Sequence, residues 1–110
     1  MPIYNKLVRD RIPEIIEKSG QTCNTRLLDE DEYILEINKK MYEEMEEYEA
    51  AETTDDAIEE LADLLELIHA ALSHYGASFE DLEKVRVEKA EKRGGFDDQI
   101  YLMNVEEDDS

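Results

Sequence analysis

The sequence predicts an all-α protein built around an antiparallel helical hairpin with flanking helices. Two long segments carry apolar residues at the 3.6-residue spacing of amphipathic helices, and only about three residues separate these segments. A connection that short places the two helices side by side and antiparallel. The 110 residues include only 4 Gly and 2 Pro, which favours helix and excludes collagen-like and low-complexity chains.

The sequence of the N-terminal region predicts an extended segment followed by a short helix. We expect this helix to begin at about Pro13, because proline is tolerated in a first helical turn. Ser19 and Gly20 end it. Residues 22–28 predict an irregular or extended connection.

The first long helix is predicted to begin after Asp29, which has capping-box spacing to Glu32. It ends near Thr53 and Thr54. Its apolar stripe consists of Ile34, Ile37, Met41, Met45 and Tyr48.

The second long helix is predicted to have Asp56 as its cap and Gly76 just beyond its last turn. Its apolar arc is wider than one partner helix can cover. The arc consists of Ile58, Leu61, Leu64, Leu65, Leu67, Ile68 and Leu72. We therefore expect a homodimer in which two hairpins form a four-helix-bundle core.

The C-terminal third predicts a fourth helix and a short extended segment. Ser78 with Asp81 caps this helix, which runs to Arg93. Residues 96–105 predict an extended segment that folds back on the bundle.

The domain organisation expected from these elements is simple. Residues 1–105 form a single helical domain, and residues 106–110 form an acidic, flexible tail. No composition shift suggests a second domain.

The charge balance restricts the kinds of partner. There are 31 acidic and 12 basic residues, giving a net charge of −19. Such a field repels nucleic acid and anionic membranes, and it suits a cation or a ligand that arrives with cations. A halophilic or merely solubilising acidic surface is the alternative explanation.

The expected compartment is the cytoplasm. No apolar run is long enough to span a membrane, and no apolar stretch follows the first residues as in a secretory signal. Cys23 has no second cysteine with which to form an internal disulfide.

Four carboxylates on the two long helices form a candidate metal site. Glu44 and Glu47 border the apolar stripe of the first helix, and Glu60 and Asp63 border the arc of the second. Counted from the turn, Glu47 lies within about 3 Å of the level of Glu60, and Glu44 within about 3 Å of that of Asp63. With no Lys or Arg nearby, these four carboxylates would repel one another unless a divalent cation neutralises them. Because all the ligand atoms are oxygens, the expected cation is Mg²⁺, with Mn²⁺ as a possible substitute. A solvated acidic helix face is the other interpretation of the same spacing.

Three stretches of the chain resemble a known family. They are Tyr4-Asn-Lys-Leu-Val-Arg-Asp-Arg-Ile-Pro13, Lys40-x-x-Glu-Glu-x-x-Glu47 with Glu60-x-x-Asp63, and Lys89-x-x-x-Arg-Gly-Gly-Phe96. Together they resemble the MazG-like all-α NTP pyrophosphatases, and the outer two resemble the phosphoribosyl-ATP pyrophosphohydrolase-like subgroup. The resemblance extends from about Tyr4 to Met103.

The resemblance implies a reaction and assigns residues to it. The reaction is hydrolysis of a nucleoside triphosphate, or a related nucleotide, to the monophosphate and pyrophosphate. Glu44, Glu47, Glu60 and Asp63 are the implied Mg²⁺ ligands, and Glu43 is an auxiliary carboxylate. The substrate is either a non-standard nucleotide or phosphoribosyl-ATP, and a dimer and a tetramer are both compatible.

Basic residues supply candidate contacts to the substrate phosphates. Arg86, Lys89 and Arg93 have i, i+3, i+7 spacing and share one helix face, where they also suit the negative end of the helix dipole. The resemblance adds a second set, as a phosphate or a subunit contact: Asn5, Lys6 and Arg9.

Two rival functions remain open at this point. Glu66-x-x-His69 is a pattern found in di-iron carboxylate bundles, which a dimer would complete. An acidic helical interaction module that dimerises and binds a basic partner would need neither metal nor catalysis.

Overall fold

The polypeptide forms helices joined by short connections, as the sequence pattern predicts. The computed structural model describes residues 2–107, and no strand is present in that range. The four helices are α1 (Ile12–Lys18), α2 (Glu30–Ala50), α3 (Thr54–His74) and α4 (Phe79–Arg93). The all-α prediction is confirmed. No helix among the described residues is long and apolar enough to cross a membrane.

Helix α1 agrees with the prediction to within one residue at its start. Pro13 lies in its first turn, where its missing N–H is not needed. Ser19 caps the C-terminus, and Gly20 follows with a φ of +90°, in the left-handed region that glycine adopts most easily. The connection that follows has neither helix nor strand, as expected.

Helix α2 begins where its capping box predicts. The carboxylate of Asp29 accepts a hydrogen bond from the backbone N–H of Glu32 at 2.8 Å. The helix ends at Ala50, a few residues before the predicted end at Thr53 and Thr54.

The predicted cap of α3 is wrong. Thr53, rather than Asp56, is the N-cap, and its hydroxyl accepts a hydrogen bond from the backbone N–H of Asp56 at 3.1 Å. Asp56 is therefore the third residue of the helix, and its N–H is one of the free donors that a cap satisfies. Its carboxylate instead lies in the first turn, where the helix dipole favours negative charge.

The end of α3 confirms the predicted role of Gly76. This residue has a φ of +70° and follows the C-cap, Tyr75. The N–H of Gly76 donates to the carbonyl of Ser73 at 3.1 Å, and the N–H of Ala77 donates to that of Leu72 at 2.9 Å. These two bonds form a Schellman motif, which satisfies carbonyls that the helix leaves free.

The chain divides into two compact units, the first ending at Ser78 and the second beginning at Phe79. In the first unit, α2 and α3 pack against each other as a hairpin, with Ala51, Glu52 and Thr53 between them. The predicted three-residue connection is thus confirmed. Ile37 and Leu67 are the buried apolar residues of this hairpin among those described.

Much of the apolar surface of α3 stays exposed in the single chain. Ile58, Leu61 and Leu65, at i, i+3, i+7 spacing, are 58%, 46% and 45% exposed. On α2, Leu35 and Tyr42 are exposed as well. The wide arc predicted for α3 is therefore present, and one hairpin does not cover it.

The second unit contains α4 and the segment that follows it. Helix α4 ends at Arg93, as predicted, and Gly94 follows with a φ of +80°. Residues 96–105 have no helix or strand, and their large apolar side chains are between 73% and 98% exposed. That this segment folds back on the bundle stays a prediction. Of the predicted flexible tail, residues 108–110 lie outside the described residues.

Candidate metal centre

The hairpin brings together three of the four predicted carboxylate ligands. Glu44 and Glu47 of α2 and Glu60 of α3 each offer one oxygen, and these three atoms all lie within 4.8 Å of one another. The three-residue turn places the end of α2 beside the start of α3, so residues of the two helices near the turn face each other. We call this set the glutamate cluster.

The glutamate cluster contains buried oxygens that lack a donor. Glu44 is only 7% exposed, Glu60 is half-buried and Glu47 is exposed. Within residues 2–107, no group forms a hydrogen bond with Oε2 of Glu44 or Oε2 of Glu60. Burying a carboxylate oxygen without a donor is costly, and ionised carboxylates cannot donate to each other.

The cluster changes the protonation of Glu60. The Glu44 carboxylate favours the protonated form of Glu60, which can donate a hydrogen bond to it, and burial of the Glu60 carboxyl adds to this effect. The carboxylate of Glu47 contributes as well, through a further hydrogen bond and through repulsion. These causes raise the pKa of Glu60 from its ordinary value to about 7. Near neutral pH, a proton and a cation would therefore compete for the Glu60 carboxyl group.

The donor set fits a hard divalent cation. All three ligands are carboxylates, one of them buried with an oxygen that has no donor, and Mg²⁺ and Mn²⁺ prefer such oxygen ligands. A bound cation would supply the positive charge that these oxygens lack.

The fourth predicted ligand, Asp63, is not a member of the glutamate cluster. Its Oδ1 accepts a hydrogen bond from Nη2 of Arg9 at 2.6 Å, with the two side chains 40% and 55% exposed. The expectation that no Lys or Arg lies near these carboxylates is therefore wrong. Arg9 and Asp63 are 54 residues apart in sequence, so no local pattern indicates their contact.

The other N-terminal candidates are exposed. Lys6 places its ammonium 5.5 Å from the centre of the Tyr4 ring, a cation–π contact. Asn5 has a φ of +44°, in the left-handed region that asparagine tolerates better than most residues. Glu43, the predicted auxiliary carboxylate, is exposed on α2 and is not part of the glutamate cluster.

The basic face of α4 belongs to the second unit. Arg86 forms an ion pair with Glu83 on the same helix, which raises the pKa of the guanidinium and lowers that of Glu83. Lys89 and Arg93 are exposed. Phosphate binding by these three cations stays a prediction.

The residues of the di-iron alternative do not join the cluster. Glu66 and His69 are exposed, and the group of possible metal ligands found among the described residues does not include them. The other histidine, His74, has Nδ1 2.8 Å from Oε2 of Glu30. This contact joins the end of α3 to the start of α2, at the opposite end of the hairpin from the turn.

No family model matches the chain, and no solved structure matches it. An uncharacterized protein of Mycolicibacterium smegmatis is 50% identical over 54 residues, which is 49% of this chain. The match spans about half the length of that protein, 55% of its residues.

Proposed function

We propose that this chain is a Mg²⁺-dependent nucleotide pyrophosphohydrolase of the MazG-like type. It would cleave the α–β phosphoanhydride of a nucleoside triphosphate, or a related nucleotide such as phosphoribosyl-ATP, to the monophosphate and pyrophosphate. The observation that carries the proposal is the glutamate cluster, in which two buried oxygens have no donor among the described residues.

Glu44, Glu47 and Glu60 would hold the metal ion. When bound, Mg²⁺ supplies positive charge to the phosphate oxygens and lowers the pKa of the attacking water. Glu47 is the exposed member of the cluster, so its carboxylate is the one best placed to take a proton from that water. Arg9 and Lys6 would provide positive charge to the phosphates from the N-terminal segment.

The same observation disfavours an acidic interaction module. Such a module would bind through exposed carboxylates, of which this chain has many, but it gives no account of the buried Glu44 oxygen that has no donor in the described part of the chain. Keeping such a group lowers stability unless a ligand compensates it. A cation site explains the burial, and a docking surface does not.

We further propose that the protein acts as a homodimer in the cytoplasm. The exposed apolar stripe of α3 supports the dimer, because a second hairpin would cover it in a four-helix bundle. The lone Cys23 supports a reducing compartment.

A phosphate-release assay tests the proposed reaction. Purified protein is incubated with Mg²⁺ and a panel of NTPs, dNTPs, modified nucleotides and phosphoribosyl-ATP, and pyrophosphate is measured separately from orthophosphate. We expect Mg²⁺-dependent pyrophosphate release that is lost in Glu47→Gln. Release of orthophosphate alone would contradict cleavage at the α–β bond. No turnover, together with no effect of Mg²⁺ on thermal stability, would contradict the metal site.

A further inference from the structure

The ion pair between Arg9 and Asp63 lies beside the glutamate cluster. Asp63 is three residues after Glu60 on α3, so the two carboxylates lie on one side of the helix, about 60° apart around its axis. Nη2 of Arg9 donates to Oδ1 of Asp63 at 2.6 Å, a short charge-assisted bond. This bond fastens the N-terminal segment to α3 within one turn of the cluster.

Asp63 differs from the three residues of the glutamate cluster because it has a basic counter-ion. Glu44, Glu47 and Glu60 lie together and form no ion pair with a basic residue in the range 2–107, whereas Asp63 lies outside this group and has Arg9 as its counter-ion. The Asp63 side chain is 40% exposed, so core packing does not prevent a change of rotamer, and Glu60 lies three residues before it on α3. Asp63 would lose the Arg9 bond by turning toward Glu60.

We propose that Arg9 and a divalent cation compete for Asp63, and that a phosphate group takes Arg9 when Asp63 turns to the cation. This exchange rests on the proposed function, and it gives Arg9 two alternative partners, the Asp63 carboxylate and a substrate phosphate. After the exchange, the divalent cation is paired with Asp63 and the Arg9 guanidinium is paired with a phosphate. If the divalent cation binds without a phosphate, Arg9 is left without an anionic partner.

The exchange predicts that cation and polyphosphate favour each other's binding. A cation alone must break the Arg9–Asp63 pair, but a cation with a polyphosphate replaces that pair with two new ones. Guanidinium groups bind phosphate oxygens as well as carboxylates, so a phosphate can replace the single Nη2–Oδ1 bond that Arg9 forms with Asp63. The contact between the N-terminal segment and α3 would therefore depend on whether a cation occupies the site.

The test measures Mn²⁺ binding to the full chain by EPR spectroscopy of the free ion. The proteins are the wild type, Arg9→Ala, Arg11→Ala, Asp63→Asn, the Arg9→Ala/Asp63→Asn double variant and Glu44→Gln. Arg11 is the matched control because it lies two residues away, is paired with Glu14 and carries the same charge. Each titration is repeated with inorganic triphosphate.

We expect Arg9→Ala to bind Mn²⁺ about two- to fivefold more tightly than Arg11→Ala, as suits the loss of one exposed ion pair. This gain should vanish when Asp63 is already Asn, because the competition acts through that carboxylate. Triphosphate should tighten Mn²⁺ binding in the wild type more than in Arg9→Ala.

Three results would overturn the exchange. The first is equal or weaker Mn²⁺ binding in Arg9→Ala than in Arg11→Ala. The second is a gain that persists in the double variant, which would indicate a general charge effect. The third is Mn²⁺ binding that Glu44→Gln leaves unchanged, or no binding at all, and this result would overturn the proposed metal site as well. The first two leave that site intact, so the two failures are distinguishable.

Discussion

Glu44 of α2 and Glu60 of α3 approach each other across the hairpin, with ligand oxygens no more than 4.8 Å apart. One oxygen of each is buried and has no donor among the described residues. When both carboxylates are ionised, each is an acceptor, and neither satisfies the other. A proton or a cation must therefore compensate the pair. This requirement links the stability of the hairpin to its ligand.

Replacing Glu44 with Gln should stabilise the metal-free protein. The amide removes one negative charge and supplies N–H donors to Glu60. We expect the Tm in EDTA to rise by roughly 4 °C, which for a domain of this size corresponds to about 1 kcal/mol. Mg²⁺ should raise the Tm of the wild type but not that of the variant.

Glu46→Gln is the matched control, because Glu46 lies on the same helix and is exposed. It should leave both the Tm in EDTA and the response to Mg²⁺ close to those of the wild type. If Glu44→Gln and Glu46→Gln change the Tm equally, the rise in Tm comes from the lower net charge and not from relief of the buried Glu44–Glu60 pair.

The raised pKa of Glu60 predicts a loss of stability with rising pH. The folded state holds this proton up to about pH 7, whereas the unfolded chain releases it near 4.5. Between these values the folded state binds more protons, so the free energy of unfolding falls as the pH rises. Below about 4.5 both states are protonated, and Glu60 adds no pH dependence.

Thermal unfolding in EDTA between pH 4 and pH 8.5 measures this effect. We expect the wild type to lose stability relative to Glu60→Gln between about pH 4.5 and about pH 7, as follows from the shift of this one group. Parallel curves for the two proteins would contradict an elevated pKa at Glu60.

A lysine on the exposed stripe of α3 should weaken self-association. Leu61 is 46% exposed in the single chain, and the proposed dimer would bury it. Leu61→Lys places a charge in that interface, while Glu59→Lys introduces the same side chain at an exposed position outside the stripe. Sedimentation equilibrium should show weaker dimerisation for Leu61→Lys alone. A wild type that stays monomeric at all concentrations would contradict the dimer.

Ile37 should be the residue of α2 whose truncation costs most. It is 1% exposed, and Ile37→Ala leaves a cavity in a hairpin with very little buried apolar surface. Losses of about 2–5 kcal/mol are typical for such changes, and Ile37→Val should cost about 1 kcal/mol. Urea unfolding measures both. Leu27→Ala is the control, since Leu27 is 97% exposed, and it should change the stability little.

Local signals in the sequence predict the helices well. The capping box at Asp29, the glycine at position 76 and the three-residue turn all act through neighbours within a few positions, and each is found where it was expected. Thr53 was missed as a cap because Thr53 and Asp56 both suit that role, and the choice depends on where α2 ends.

Contacts between distant residues are the part that periodicity does not reveal. Helical spacing and the short turn suffice to place Glu44, Glu47 and Glu60 together. The partner of Asp63 comes from an N-terminal segment without helical periodicity, and its path over α3 depends on packing. The sequence marked both Arg9 and Asp63 as site residues, yet it gave no reason to pair them.

The most direct test of the metal-dependent reaction compares Glu60→Gln with Glu59→Gln in the pyrophosphate-release assay. Both changes remove one carboxylate from α3, but Glu60 belongs to the glutamate cluster, whereas Glu59 is exposed and lies outside it. With the best nucleotide and saturating Mg²⁺, kcat/KM should fall at least about a hundredfold in Glu60→Gln, the scale seen when a group that stabilises transition-state charge is removed. Glu59→Gln should retain the wild-type value. Equal activity in the two variants would contradict a catalytic metal site in the hairpin.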